Sequence, residues 1–201
     1  MKGELFYMNN VLAVTADLKR CSIAIFYENE LFEANENVDS PTYLVQLAHD
    51  LCTTHSIDIN KLDRLLTVSG PGSFTGIRTA QSFVKGLSLA LNIPAACVSY
   101  FDVIKNLYNH ENNLVAVINS DKKQVYYRDF LSDTQGVTPS EELDNIVIST
   151  KIPLVGDKVI SAKYENTVIP DFKSARFLLD ATEDQLTEVQ PLYMVGSYAQ
   201  L

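Results

Sequence analysis

The chain has 201 residues, 46% of them hydrophobic and 20% charged, enough to bury a sizeable core without disulfides or metals. A net charge of −9 and a pI of about 4.7 set its surface against phosphate backbones, which excludes unaided binding of tRNA or DNA. No apolar stretch approaches the roughly 18 residues of a membrane span, and the start MKGELFYMNN lacks the marks of a secretory signal, so a cytoplasmic location is expected, with residues 1–8 as an extension.

Val11–Thr15, Ser22–Tyr27 and Leu31–Ala34, separated by polar turns, read as an antiparallel three-stranded meander. Ser40-Pro41 then gives a helix start, and Leu44, Leu47, Ala48 and Leu51 make one face of residues 41–54 apolar. Leu65–Ser69 is the next strand. A glycine-rich turn leads into a long helix from Ser73 to Leu91, which Asn92-Ile93-Pro94 ends. Ala95–Val98 reads as a buried strand, and Ser99 caps a short helix running to Tyr108. After the polar break Asn109–Asn113, Leu114–Ile118 and Gln124–Phe130 form a hairpin around Asp121-Lys122-Lys123. Ile146–Ser149 and Pro153–Val155 are further short strands, and Phe172–Leu179 is a weak helix. The natural partition is two mixed α/β units, residues 9–110 and a smaller unit 111–201.

The turn Gly70-Pro71-Gly72-Ser73-Phe74-Thr75-Gly76-Ile77-Arg78 lies between a strand and a helix, where glycine permits close approach and free amides favour anions. Spacing tests the alternatives. Five residues separate Gly70 from Gly76, and Ile77 follows where a P-loop needs lysine, so that reading fails. Ser73 has Pro71 and Thr75 where a nucleophile elbow needs glycines. A loosened dinucleotide fingerprint remains, but it follows the fourth strand and no acidic residue ends the next one.

The helix after the turn carries two stripes. Ile77, Ala80, Val84, Leu87 and Leu91 form one; Gly76, Thr79, Phe83, Gly86 and Ala90 form the other; Arg78, Gln81, Ser82, Lys85 and Ser88 are the polar remainder. One stripe can cover a sheet while the second, mostly small, admits another helix closely, whether from this protein's own core or from a partner. Cys21, Cys52 and Cys97 form no C-x-x-C pair and read as buried reduced thiols. His49 and His55 are six apart, not on one helical face, and with His110 they read as solvated residues, not metal ligands.

The block LTVSGPGSFTGIRTAQSFVKGLSLALNIPAACVS resembles the signature of the TsaB family, densely over residues 65–105. The similarity is collinear elsewhere, at Gln124-Val125-Tyr126, Val155-Gly156-Asp157 and Pro191-Leu192-Tyr193. It implies the actin/Hsp70-like ATPase fold, an α/β architecture of two lobes on ribonuclease H-like cores. It also implies a non-catalytic subunit that dimerises with a TsaD-like synthase through helices of the N-terminal lobe. With a TsaE-like ATPase, that assembly places threonylcarbamoyl on the adenosine next to the anticodon of ANN-decoding tRNAs. A homodimer through the same helices is also implied.

By position those helices are residues 41–54 and 73–91, with Tyr43, Leu47, Gly76, Thr79, Phe83, Gly86 and Ala90 as interface candidates. A bulky residue at Gly86 is expected to block the heterodimer. Where actin-like ATPases place magnesium-holding carboxylates, the chain has Thr15, with Asp17 displaced by two, and Asn119-Ser120-Asp121. No catalytic residue, metal site or cofactor is therefore expected. The rival reading is a nucleotide-binding enzyme, either a degenerate actin-like ATPase or a dinucleotide binder.

Overall fold

The computed structural model describes residues 10–17, 20–37, 43–108, 114–119, 124–145, 154–156, 164, 167–168 and 173–190. Two compact units emerge, Met1–Val103 with Lys173–Pro191, and Ile104–Phe172 with Leu192–Leu201. The expected boundary at residues 110 and 111 thus shifts to 103 and 104. The segment from Lys173 rejoins the first unit because its polar groups and Val189 are satisfied there.

The first unit is built on a five-stranded sheet in the order β3-β2-β1-β4-β5, from β1 (Val11–Ala16), β2 (Arg20–Tyr27), β3 (Glu30–Asn37), β4 (Arg64–Gly70) and β5 (Ala95–Ser99). β1, β2 and β3 are antiparallel neighbours, while β1, β4 and β5 run parallel. This is the ribonuclease H-like order. Every residue of β1 is buried, which explains its unbroken apolar run: both faces of the strand are covered. Leu12, Val14 and Ala16 pack with helix α1 (Leu44–Thr54) and helix α2 (Phe74–Leu91). The alternate residue Thr15 donates to the Lys173 carbonyl instead.

Leu44, Leu47, Ala48 and Leu51 are the buried residues of α1, as their spacing requires. The helix starts at Leu44 with Tyr43 as N-cap, later than the expected start at Ser40-Pro41, which lies outside the described residues. Helix α3 (Tyr100–Leu107) follows β5, with the Ser99 hydroxyl accepting from the Phe101 amide at 3.1 Å. The expected helix at Phe172–Leu179 is a 3-10 helix over Ala175–Asp180, seated through buried Ala175 and Leu178.

The second unit repeats the strand order. β6 (Val115–Asn119), β7 (Gln124–Asp129), β8 (Thr134–Pro139), β9 (Leu154–Gly156) and β10 (Thr167–Val168) lie as β10-β9-β6-β7-β8. The first three are antiparallel and β6, β9 and β10 parallel, so the two lobes share one topology. Two strands, β8 and β10, go beyond the sequence reading. The expected strand Ile146–Ser149, the breaks at Asn109–Asn113 and Asp121-Lys122-Lys123, His110, Asp157, Pro191-Leu192-Tyr193 and residues 1–8 lie outside the described residues.

Candidate functional site

The glycine-rich turn is built for tight packing. A register shift between Val68 and Gly70 bends β4 at its end, and Gly70 sits at φ +111°, a conformation that favours glycine. Pro71 is buried, and the Ser73 hydroxyl caps α2 by accepting from the Gly76 amide at 3.2 Å. A Cβ on Gly76 would stand 2.4 Å from the Ala16 carbonyl oxygen and 2.7 Å from the Asp17 Cα. The glycine therefore lets α2 lie directly on the end of β1. Gly72 is half-buried beside the Tyr100 ring and Ile77.

From this anchor the first stripe of α2 faces inward: Ile77, Ala80 and Val84 are buried, with Leu87 packed at the margin. Gln81 corrects its assignment to the polar remainder. It is buried, and its side-chain amide donates to the Val68 carbonyl at 2.9 Å and to Cys97 Sγ at 3.6 Å. Burial pushes the Cys97 thiol up to about 11, and the Cys21 and Cys52 thiols are raised by the same cause. Cys21 and Cys97 are buried, as expected, while Cys52 is only half-buried; all three are free thiols.

The second stripe divides. Gly76 is buried against β1 and Leu47 of α1 lies in the core, so neither offers surface to a partner. Thr79 and Phe83 are half-buried, while Gly86 and Ala90 are exposed, with open space around the Gly86 Cβ position. Thr79 and Phe83 help to line a groove of about 570 Å³, together with Leu44, Val45, Phe74, Thr75, Arg78 and Ser82. Val45 is 62% exposed, Phe74 38%, and Tyr43, just before the groove, 41%. The Arg78 guanidinium lies 3.9 Å from the centroid of the Phe74 ring, a cation–π contact that holds the aromatic at the groove wall.

Val45 and Phe74 were missed as site residues. The sequence did carry a signal: Val45 is an apolar residue of α1 off its buried stripe, and Phe74 is an apolar residue in the capping turn, ahead of the first buried position of α2.

Thr15 and Asp17 occupy the carboxyl end of β1. Thr15 Oγ1 donates to the Lys173 carbonyl at 2.6 Å, and Lys173 Nζ lies 2.9 Å from Asp17 Oδ2. In the second lobe Asn119 ends β6 opposite Val125, while Ser120 and Asp121 lie outside the described residues. No cluster of three metal-ligating side chains occurs among the described residues, where His49 and His55 are exposed and the His55 ring stacks near Phe32. No helix among the described residues is long and apolar enough to cross a membrane.

Two lobes of the same 3-2-1-4-5 strand order, each with a parallel and an antiparallel part, define a protein of the actin-like ATPase fold. The chain belongs to the family described as TsaD, tRNA N6-adenosine threonylcarbamoyltransferase, whose model matches residues 42–186. It is TsaB-like within that family. The TsaB protein of Buchnera aphidicola subsp. Acyrthosiphon pisum is 24% identical over 93% of this chain and 80% of its own length. That of Buchnera aphidicola subsp. Baizongia pistaciae is 24% identical over 65% of this chain, a region spanning 62% of that relative. In fold, the chain is similar to a Pseudomonas aeruginosa protein described as having similarity to peptidase YEAZ. That structure has a TM-score of 0.72 and 20% identity, covering 93% of this chain and 100% of the other.

Proposed function

We propose that this chain acts in tRNA threonylcarbamoyladenosine biosynthesis as a non-catalytic subunit that docks on a TsaD-like synthase, with a TsaE-like ATPase completing the assembly. The observation that carries the reading is the α1–α2 groove, where Val45, Phe74 and Phe83 leave apolar surface beside Arg78 on an otherwise acidic molecule. Such a face fits an apolar helix bearing an acidic side chain opposite the guanidinium. The same groove serves a second copy of the chain when the synthase is absent. Support for a non-catalytic role comes from Thr15, a neutral hydroxyl engaged with the Lys173 carbonyl where a carboxylate would have to hold magnesium.

Reconstitution of tRNA modification with and without the protein tests the role, and equal rates in its absence would sink it. Val45→Glu with Phe74→Glu tests the face. Both residues are exposed, so folding should hold while affinity for the synthase falls by about two orders of magnitude, the scale of a lost apolar anchor. Gly86→Trp, on the exposed continuation of the stripe, should weaken docking less than the groove variants. Undiminished co-purification of the double variant would place the interface elsewhere.

A further inference from the structure

In open α/β sheets, ligands are taken up outside the carboxyl ends of parallel strands, where helix N-termini attract anions. β1 and β4 are parallel neighbours, and α2 begins at the carboxyl end of β1. In this lobe the place is filled from both faces of the sheet by the chain itself. From one face α2 presses Gly76 onto the Ala16 carbonyl and Asp17 Cα. From the other comes Lys173–Ala175, distant in sequence. Thr15 Oγ1 donates to the Lys173 carbonyl at 2.6 Å. Ser22 Oγ, directly across the β1–β2 ladder from Thr15, accepts from the Ala175 amide at 2.8 Å and donates to Asn35 Oδ1 at 2.5 Å. Lys173 Nζ pairs with Asp17 Oδ2 at 2.9 Å.

Thr15 and Ser22 are buried, so their hydroxyls reach solvent only if this segment lifts. The Thr15 hydroxyl, a donor that a bound oxyanion would use, is thereby directed to the segment's own carbonyl, while the Ser22 hydroxyl donates to Asn35. Of these bonds, the one from Thr15 to the Lys173 carbonyl takes up a donor that a ligand oxygen would use, while the Ala175 amide and the Lys173 ammonium anchor the segment itself.

We propose that Lys173–Ala175 is a built-in occupant of the crevice at the carboxyl end of β1, latched by the Lys173–Asp17 ion pair, and that it keeps phosphate-bearing ligands out of the first lobe. Any phosphate chemistry in an assembly containing this protein then takes place on other subunits. The proposal stands apart from the docking reading, which the reconstitution assay measures separately.

The test uses the full chain, inorganic pyrophosphate as probe, isothermal titration calorimetry for binding, and hydrogen exchange of the Ala175 amide for seating of the segment. Wild-type protein should give no binding heat and a slowly exchanging Ala175 amide. Asp17→Lys sets ammonium against ammonium, so Ala175 exchange should rise by about tenfold or more, while exchange in β4 stays unchanged and pyrophosphate binding appears. The charge swap Asp17→Lys with Lys173→Asp restores the pair with reversed polarity and should reverse both effects. It thereby separates the latch from the mere addition of a lysine. Micromolar binding by the wild type, unchanged Ala175 exchange in Asp17→Lys, or persistent binding in the swap would each overturn the proposal. Should Asp17→Lys fail to fold, Lys173→Met removes the ion pair alone, and an Ala175 amide that exchanges no faster there would overturn the latch.

Discussion

The two lobes share a strand order, and their described strands differ in how far they are buried. In the first, β1, β2 and β4 are buried almost throughout while the edge strand β3 is largely exposed. There α1 and α2 share a core with alternate residues of β1, and Thr15 holds the Lys173 segment. In the second, β6 is buried but β7 and β8 carry half-exposed positions, among them Tyr127, Arg128, Gly136 and Val137. A strand covered on both faces becomes a continuous apolar run. One that meets water on a face tolerates charge, glycine and tyrosine. Among the described residues, the central strands of the first lobe are thus the more closely covered, and that lobe carries the helices that present the groove.

The largest expected effect tests that tightness. Gly76→Ala places a methyl carbon 2.4 Å from a backbone oxygen, and neither α2 nor β1 can yield without moving the other. We expect a loss of roughly 3 kcal/mol or more in the first lobe, read by urea unfolding with exchange followed separately in the two sheets. A cost below about 1 kcal/mol would mean that α2 floats on the sheet, and would undo the contrast between lobes.

The same contrast decided what could be read in advance. β1, β2, β4 and α1 declared themselves because burial on both faces, or along one helical stripe, imposes a pattern visible in a short window. Ser73 was legible as a helix start and Asn92 as an end; the latter takes the left-handed conformation at φ 55°. β8 was not legible: Thr134–Pro139 holds glycine, proline and two threonines, and becomes a strand only because β7 pairs with all six residues. Gln81 looked like a surface amide because its partners, Val68 and Cys97, come from other strands. The Lys173 segment depended on pairing with Thr15 and Ser22, more than 150 residues away, which no local pattern records. Thr79 and Phe83 of the groove were found through the second stripe of α2. Val45 and Phe74, which also line it, needed to be known as exposed.

A second expectation follows from the cysteines, all three of which lie in the first unit. Desolvation raises the Cys97 thiol from its ordinary 9.0 to about 11. A raised folded value means that the folded state favours the protonated thiol. Its contribution is therefore full below pH 9 and is lost as pH climbs from 9 through 11. The loss is on the order of 2 kcal/mol by the top of that window. It should be confined to the first lobe, since the second holds no cysteine. Denaturant titrations at a series of alkaline pH values, compared between wild type and Cys97→Ala, isolate this component from tyrosine and lysine titration. Equal slopes in the two proteins would show that the thiol is not desolvated as its burial requires.

The smallest expected effect comes from the second lobe's own close glycine. A Cβ on Gly136 would meet the Tyr127 ring atoms at 3.1 to 3.2 Å, and Tyr127 is the residue directly opposite across β7 and β8. Here the obstacle is the end of a half-exposed side chain that can rotate toward solvent, not a backbone carbonyl. Alanine also fixes the strand conformation at less entropic cost than glycine, which offsets part of the lost stacking of tyrosine on the glycine face. Gly136→Ala should therefore cost less than about 1 kcal/mol, with the Tyr127 ring displaced and first-lobe exchange untouched. A penalty matching that of Gly76→Ala would show the second lobe to be packed as rigidly as the first. The difference between the lobes would then lie in their surface composition alone, not in how closely their layers approach.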